Sequence, residues 1–217
     1  MIRAVVFDVG ETLISETRIW TRWAERLGVS PFVLMGALGG MAALDRPHDD
    51  AFRLVRPGLD LVAEEAAWER DDPGGLRNHF DADDLYPDAR PALAALREAG
   101  YQVIIAGNQP SRAYDALVAM ELPADSVHTS EGWGVSKPEA GFFAKVAAVA
   151  GREPAEILYV GDRLDNDVLP AAAAGMRTAL LRRGPWGYLH AERPQAQAAD
   201  AIVDDLHGVL PVLGRLM

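Results

Sequence analysis

The pattern of apolar and polar positions divides this chain into two kinds of region. Outside one region, short runs rich in β-branched and aromatic residues are separated by longer segments with helical spacing. The five candidate strands are residues 4–7, 101–106, 156–161, 178–182 and 201–204. The intervening segments include two that end in helix-stopping glycines, Gly100 and Gly151. Strands that alternate with helices predict an α/β fold with a parallel sheet covered by helices.

Residues 15–85 interrupt this alternation. They show helical spacing without a convincing strand, and Trp20 and Trp23 lie on one apolar face that we interpret as the core of this region. We therefore predict a core domain formed by residues 1–14 and 86–217, with an all-helical insert after the first strand. An insert in this place is expected to act as a lid over the carboxyl ends of the strands.

Composition narrows the classes of function. The chain is 49% hydrophobic but has no run of roughly 20 apolar residues, and its N-terminal segment lacks the apolar stretch of a signal peptide. The absence of cysteine excludes disulfides, a thiolate nucleophile and cysteine-ligated zinc. A net charge of −11 disfavours nucleic acid and anionic membranes as partners. We expect a cytoplasmic protein, a monomer or homodimer, that acts on a small molecule.

Polar side chains follow the carboxyl ends of the predicted strands. They are Asp8, Asn108, Lys137, Asp162 and Asp167. Because the ends of parallel strands face one crevice, these side chains are expected to converge. Three carboxylates raise one another's pKa unless cations compensate, which predicts a role for the lysine and for a hard divalent ion such as Mg²⁺. Asp8 can then attack an electrophile, as in the formation of an aspartyl-phosphate.

Four short motifs carry these residues in a fixed order. They are FDVGETL at 7–13, GNQ at 107–109, SKP at 136–138 and GDRLDND at 161–167. Their order and spacing resemble those of the haloacid dehalogenase (HAD) superfamily, and the helical insert is similar to the small C1-type cap of that family. The resemblance implies a Rossmann-like core. It also implies Mg²⁺-dependent hydrolysis of a small phosphorylated metabolite, which makes the chain a phosphoric monoester hydrolase.

The resemblance also implies roles for single residues. Asp8 would be the nucleophile that forms a covalent ester with the substrate, and Lys137 would bridge this nucleophile and the phosphate. Thr12 would support the loop of the first motif. Together with Asn108, whose amide would hold the anion, Thr12 is predicted to belong to the phosphate-binding set.

The predicted metal ligands include one departure from the family. The ligands would be Asp8, Asp162, Asp167 and the backbone carbonyl of Gly10. In phosphatases of the family, the position of Gly10 holds an aspartate that protonates the leaving alcohol, a role worth about 10² to 10⁴ in rate. Glu11 is a possible substitute acid or base, although adjacent residues at a strand end usually point in different directions.

A second departure is Gly107, which stands where the family usually has Ser or Thr. The missing hydroxyl removes one hydrogen bond to the anion. The two glycines therefore leave two alternatives open: a catalytically weak binding or regulatory member of the family, and a hydrolase of a non-phosphate bond. Asp162 and Asp167 argue against dehalogenation, which does not keep this acidic pair. The lysine-free insert argues against phosphonate cleavage, which uses a cap lysine.

Two further features have less specific interpretations. The segment RRGPWGYLH, residues 182–190, is either a surface loop or one edge of the active-site mouth, because it leaves the carboxyl end of a strand. Histidines and arginines in the insert are interpreted as surface charge rather than substrate contacts. They are His48, His79, Arg46, Arg53 and Arg77.

Overall fold

Six parallel strands form the central sheet of the computed structural model, which describes residues 1–75 and 80–216. The strands are β1 (Ala4–Phe7), β2 (Gln102–Gly107), β3 (Ser126–Thr129), β4 (Ile157–Gly161), β5 (Arg177–Leu181) and β6 (Ala201–Val203). Their order is β3-β2-β1-β4-β5-β6, and every neighbouring pair is parallel. The predicted α/β fold with a Rossmann-like parallel sheet is confirmed.

The strand β3 is the element that the apolar pattern does not predict. Its sequence, SVHT, contains one aliphatic side chain, and its first three residues are only partly buried. An edge strand pairs on one side alone and needs no continuous apolar run. The five predicted strands, in contrast, agree with the observed bounds to within one residue at each end.

Helices connect the strands and form the insert. They are α1 (Thr17–Leu27), α2 (Pro31–Ala43), α3 (Asp49–Val55), α4 (Leu61–Asp71), α5 (Ala89–Glu98), α6 (Ser111–Ala119), α7 (Ser130–Trp133), α8 (Ala140–Ala150), α9 (Leu169–Ala173), α10 (Gly184–Ala191) and α11 (Val209–Arg215). Shorter helical turns lie at Ala82–Asp84, Pro154–Glu156, Leu164–Val168, Pro194–Ala198 and Leu206–Gly208. In the described part of the chain, no helix alone has the length and apolar character to cross a bilayer. Only α1 and α2 together, bent by 114°, meet that test of length and composition.

Aromatic packing fixes the sheet below the predicted site. Phe142 and Phe143 of α8 are fully buried in a cluster with Ile104 of β2 and Tyr159 of β4. The rings of Phe143 and Tyr159 meet nearly edge to face, with centroids 5.4 Å apart. The two strands that precede the GNQ and GDRLDND motifs are therefore held by one helix.

The chain divides into two compact units. One comprises Met1–Ser15 and Asp81–Met217, and the other comprises Glu16–Phe80. The predicted insert, residues 15–85, extends further at its second boundary. Residues 81–85 group with the sheet because Leu85 forms an antiparallel bridge with Ile14. The predicted role of the helical unit as a lid stays a prediction.

Aromatic side chains form the core of the helical unit. Trp23 is 3% exposed, and its ring lies 4.8 Å from that of Phe52 and 4.9 Å from that of Trp68. Trp20 lies beside the same phenylalanine and beside His48. Such contacts support the interpretation of this tryptophan face as core.

Charged side chains of the helical unit pair with one another. Arg46 and Arg53 each contact the carboxylate of Asp50, and both arginine side chains are exposed. Exposed pairs of this kind contribute little to stability and are typical of a solvated surface. His79 and Arg77 lie outside the described residues.

The segment RRGPWGYLH is largely helical, so its interpretation as a surface loop is wrong. It contributes most of α10, in which Trp186 and His190 are buried. A Cβ at Gly187 would lie 2.5 Å from the carbonyl oxygen of Leu181, so the glycine lets the helix approach β5 closely. The sequence does not predict this helix because glycine and proline, which recur in the segment, usually interrupt helices.

Candidate active site

The carboxyl ends of β1 and β4 bring three aspartates together. The Asp8 N–H donates to the carbonyl of Val160 at 3.0 Å, which fixes the first aspartate beside the end of β4. Asp162 directly follows β4, and Asp167 lies in the helical turn that comes next. One carboxylate oxygen of each aspartate lies within 4.8 Å of the other two. All three side chains are buried.

Lys137 lies between two of these carboxylates. Its Nζ is 2.6 Å from Asp8 Oδ1 and 2.5 Å from Asp167 Oδ1, and its side chain is completely buried. The rings of Tyr159 and Phe142 lie 5.6 and 6.0 Å from the ammonium. Burial alone would lower the pKa of Lys137, but the two carboxylates outweigh this effect and raise its pKa well above the usual value. Lys137 therefore stays charged.

Burial and mutual repulsion raise the pKa values of the other two carboxyl groups. For Asp162, burial contributes most to the raised pKa, followed by the charges of Asp167 and Asp8. For Asp167, burial raises the pKa to about 6 against the opposing charge of Lys137. Gly161 leaves the space that the Asp167 side chain fills, because a Cβ there would overlap its carboxyl group. Cation binding at this cluster would relieve the repulsion.

Asn108 is bound to the backbone of Lys137 through both ends of its amide. Its Nδ2 donates to the Lys137 carbonyl at 2.9 Å, and its Oδ1 accepts from the Lys137 N–H at 2.8 Å. The pairing joins the end of β2 to the segment that carries the lysine. Because one amide hydrogen is already used, the predicted contact of Asn108 with an anion has only the second hydrogen available.

The chain turns back tightly over residues 9–14, here called the nucleophile turn. The N–H groups of Thr12 and Ile14 both donate to the carbonyl of Val9, and the Glu11 N–H donates to the Ile14 carbonyl at 2.7 Å. Thr12 is fully buried, which fits its predicted support of the loop, and its phosphate contact stays a prediction. Glu11 has a φ of 48°, in the left-handed region that non-glycine residues rarely adopt.

Glu11 is held by neighbours on two sides. Its Oε2 accepts a hydrogen bond from the Tyr86 hydroxyl at 2.5 Å, and its Cβ and Cγ lie 2.8 Å from where a Cβ on Gly184 would stand. Its charge also contributes to the raised pKa of Asp162, so the two carboxyl groups are close enough to interact. Glu11 lies beyond the end of β1, so the alternating side-chain directions of a strand do not apply to it. The acid or base role of Glu11 stays a prediction.

Gly107 lies directly against the predicted nucleophile. A Cβ at this position would lie 2.5 Å from Asp8 Oδ1 and 3.0 Å from Val9 Cγ2. The carboxylate therefore occupies the space that the Ser or Thr side chain of other family members would need. Gly107 affects the orientation of Asp8 as well as the number of anion contacts.

Replacing Gly107 with Ser is expected to lower kcat rather than to restore a useful hydroxyl. Asp8 would have to move away from Lys137, and a misplacement of about 1 Å can cost about 10²-fold in rate. Steady-state kinetics of Gly107→Ser and Gly107→Ala test this, because both add the Cβ and only one adds the hydroxyl. Equal losses support the steric account, whereas a gain confined to Gly107→Ser contradicts it.

Several side chains that support the site could not be recognised from the sequence. Tyr159 lies in a strand that is otherwise apolar, and its hydroxyl donates to the Ala106 carbonyl at 2.8 Å. Tyr86 and Asp88 precede α5 and give no signal in the apolar pattern. The position of Arg183 does give a signal, because this residue follows the carboxyl end of β5, where functional side chains of such sheets are expected.

The donor set of the acidic cluster fits a hard divalent cation. Asp8, Asp162 and Asp167 offer oxygen ligands from one compact, buried group, and Mg²⁺ and similar ions prefer such oxygens. Lys137 contributes a single positive charge against three carboxylates. The cluster therefore has both the ligand chemistry and the excess negative charge that a divalent metal site needs.

Comparisons with known proteins agree with this geometry. A family model described as haloacid dehalogenase-like hydrolase matches residues 2–175. The chain is 36% identical over 208 residues to the glyceraldehyde 3-phosphate phosphatase of Methanopyrus kandleri, with 86% of each chain covered. It is 31% identical over 135 residues to phosphoglycolate phosphatase 1 of Pseudomonas aeruginosa, with 59% of this chain and 47% of the relative covered.

A solved structure shares the fold. The HAD phosphatase from Thermococcus onnurineus is 24% identical, with a TM-score of 0.61 and 98% of each chain covered. The family match covers all four motifs and extends through α9. The prediction of a HAD superfamily hydrolase is confirmed, and this chain belongs to the haloacid dehalogenase-like hydrolases.

Proposed function

We propose that this chain is a Mg²⁺-dependent phosphatase of small phosphorylated metabolites that works through a covalent ester on Asp8. The observation that carries the proposal is the buried ammonium of Lys137, 2.6 Å from Asp8 and 2.5 Å from Asp167. A carboxylate can attack an anionic phosphate only if nearby cations balance the charge. The relatives named above as phosphatases support this class of reaction.

The two carboxylate oxygens of Asp8 have different roles in the proposed reaction. Because Oδ1 is bound by Lys137, we assign the attack to Oδ2. As the bond from Oδ2 to phosphorus forms, the bond from phosphorus to the leaving oxygen breaks, and that oxygen keeps the electron pair and takes up a proton. Lys137 stabilises the charge on the phosphoryl group. Water then attacks phosphorus, the bond from phosphorus to Oδ2 breaks, and phosphate leaves while the carboxylate is restored. The attacking water gives one proton back to the group that protonated the leaving oxygen.

A divalent ion would be held by Asp8, Asp162, Asp167 and the backbone carbonyl of Gly10. When bound, Mg²⁺ would neutralise charge on the phosphoryl oxygens and on the acidic cluster. Gly10 has no carboxyl group that could protonate the leaving oxygen, so Glu11 or water would supply this proton.

A catalytically weak, ligand-binding member of the family is the second candidate. Gly10 offers no carboxylate, and the nearest substitute, Glu11, accepts a hydrogen bond from Tyr86 at 2.5 Å. Loss of a general acid typically costs about 10² to 10⁴ in rate. Such a protein would bind a phosphorylated ligand in the same place and turn it over slowly.

Turnover of three phosphate esters with and without Mg²⁺ separates these candidates. The esters are p-nitrophenyl phosphate, phosphoglycolate and glyceraldehyde 3-phosphate, the last two taken from the names of the relatives. A phosphatase is expected to turn over at least one ester in wild type, and only with the metal. A silent wild type combined with activity in Gly10→Asp supports the weak binding protein. A separate assay with a haloacid and no metal tests the remaining alternative, because activity there would indicate a hydrolase of a non-phosphate bond.

The size of the substrate can be proposed from the relatives. Both relatives are named for small phosphate monoesters, which supports a substrate of similar size. The cytoplasmic location and the choice between monomer and homodimer stay predictions from the sequence.

A further inference from the structure

Arg183 is a largely buried cation that takes no part in the steps above. Its Nη1 donates to the Thr12 carbonyl at 2.8 Å, and its Nη2 lies 2.5 Å from Asp88 Oδ2. The centre of its guanidinium group lies 3.9 Å from the centroid of the Tyr86 ring. One side chain that follows β5 therefore contacts the nucleophile turn and the residues that lead into α5.

Asp88 anchors this arginine rather than its own helix. It stands at the N-cap position of α5, yet its side chain makes no capping hydrogen bond. The same Oδ2 that meets Arg183 also accepts the Leu206 N–H at 2.9 Å. Burial would raise the pKa of Asp88, but the arginine and this N–H hold it below the usual value. The pair is therefore charged and fixed at both ends.

Tyr86 provides a second attachment to the nucleophile turn. Its hydroxyl donates to Glu11 Oε2, while its ring lies against the Arg183 guanidinium. Burial and the nearby Glu11 charge raise the pKa of Tyr86, so the hydroxyl keeps its proton. The turn is thus held at the Thr12 carbonyl by the arginine and at the Glu11 carboxylate by the tyrosine.

We propose that Arg183 and Tyr86 are positioning residues that fix the nucleophile turn and thereby the orientation of Asp8 and Glu11. The inference rests on the proposed function. Arg183 contacts the turn at the Thr12 carbonyl and Tyr86 contacts it at the Glu11 carboxylate, so both act on Asp8 through the turn. Glu11 keeps a left-handed backbone, φ 48°, and a non-glycine residue persists in that conformation only where its surroundings hold it.

The kinetic test compares Arg183→Met, Arg183→Lys and Tyr86→Phe with wild type, using p-nitrophenyl phosphate and Mg²⁺. Arg183→Met is expected to lower kcat about 10- to 100-fold with KM within about twofold, because a displaced nucleophile loses rate more than binding. Arg183→Lys is expected to recover part of the loss, since a lysine keeps the charge but reaches one of the two oxygen partners at a time.

Arg177→Met is the matched control. Arg177 begins the same strand, β5, and pairs with Asp200 at 2.7 Å, but its side chain is 55% exposed. It is far from the nucleophile turn in the strand register, so kcat is expected to stay within about twofold of wild type. A loss in Arg177→Met equal to that in Arg183→Met would overturn the positioning role.

Amide hydrogen exchange provides a readout that needs no turnover. Arg183→Met and Tyr86→Phe are expected to speed exchange in a peptide covering residues 9–14 about tenfold or more, with β4 unchanged. The proposal would be overturned if both variants had the kcat and the exchange rates of wild type. It would also be overturned if exchange became faster to the same extent throughout both proteins. If wild type turns over no phosphate ester, the proposed function fails but the positioning role does not. The exchange rates at residues 9–14 then decide whether Arg183 and Tyr86 hold the turn.

Discussion

Asp8→Asn is expected to lower turnover of phosphate esters by about 10⁴- to 10⁶-fold while the protein stays folded. The asparagine amide cannot form the covalent ester. Its oxygen can still accept a hydrogen bond from Lys137, whose Nζ lies 2.6 Å from Asp8 Oδ1. The substitution also removes one of three mutually repelling carboxylates, so the midpoint of thermal unfolding is not expected to fall. Steady-state kinetics and a thermal scan measure the two effects.

Asp204→Asn is the matched control for this prediction. Its side chain is 77% exposed and meets only Arg182 among the ion pairs of the described residues. The control is expected to keep its kcat within about twofold of wild type. Acid quenching with labelled substrate should trap a phosphorylated protein in wild type and not in Asp8→Asn. If Asp8→Asn keeps activity within about tenfold of wild type, another group is the nucleophile.

The sheet and its acidic cluster could be predicted because both follow from regular geometry. Strands buried on both faces need continuous apolar runs, which is why β1, β2 and β4 are visible in the sequence. Parallel strands place their carboxyl ends at one edge, so Asp8 and Asp162 are expected at the same edge despite their separation along the chain. The pairing of β1 with β4 makes them neighbours there. An edge strand has no such requirement, and the sequence of β3, SVHT, shows no continuous apolar run.

The contacts that complete the site depend on loop conformations that apolar patterns do not encode. Asn108 could be assigned to the anion by resemblance, but its bonds to the Lys137 backbone follow from how two loops meet. Glu11 could be judged only by strand alternation, which fails once the chain leaves the strand. The contact of Arg183 with Thr12 joins residues 171 positions apart. Pairings of this kind carry no periodic signal.

Lys137→Met is expected to lower the free energy of unfolding of the metal-free protein by about 3 to 5 kcal/mol near neutral pH. Methionine occupies similar space but leaves two buried carboxylates, 2.6 and 2.5 Å from the lost ammonium, without their cation. The variant is also expected to lose at least about 10²-fold in kcat, because the charge on the phosphoryl group is no longer balanced. Urea unfolding in a chelator measures the first effect, and kinetics with Mg²⁺ measure the second.

The stability deficit of Lys137→Met is expected to shrink as the pH falls. Burial raises the pKa of Asp167 to about 6 in wild type against the opposing charge of Lys137, so removing the lysine raises that pKa further. Removing the lysine raises the folded-state pKa further above the unfolded value than in wild type, so the variant takes up the Asp167 proton at a higher pH. The deficit is therefore expected to shrink as the pH falls from the variant's pKa to about 6, the wild-type pKa, below which Asp167 is protonated in both folded proteins. Lys145→Met, exposed on α8, is the matched control and should change the unfolding free energy by less than about 0.5 kcal/mol. A deficit no larger than that of the control, or one independent of pH, would show that the buried ammonium does not hold these carboxylates.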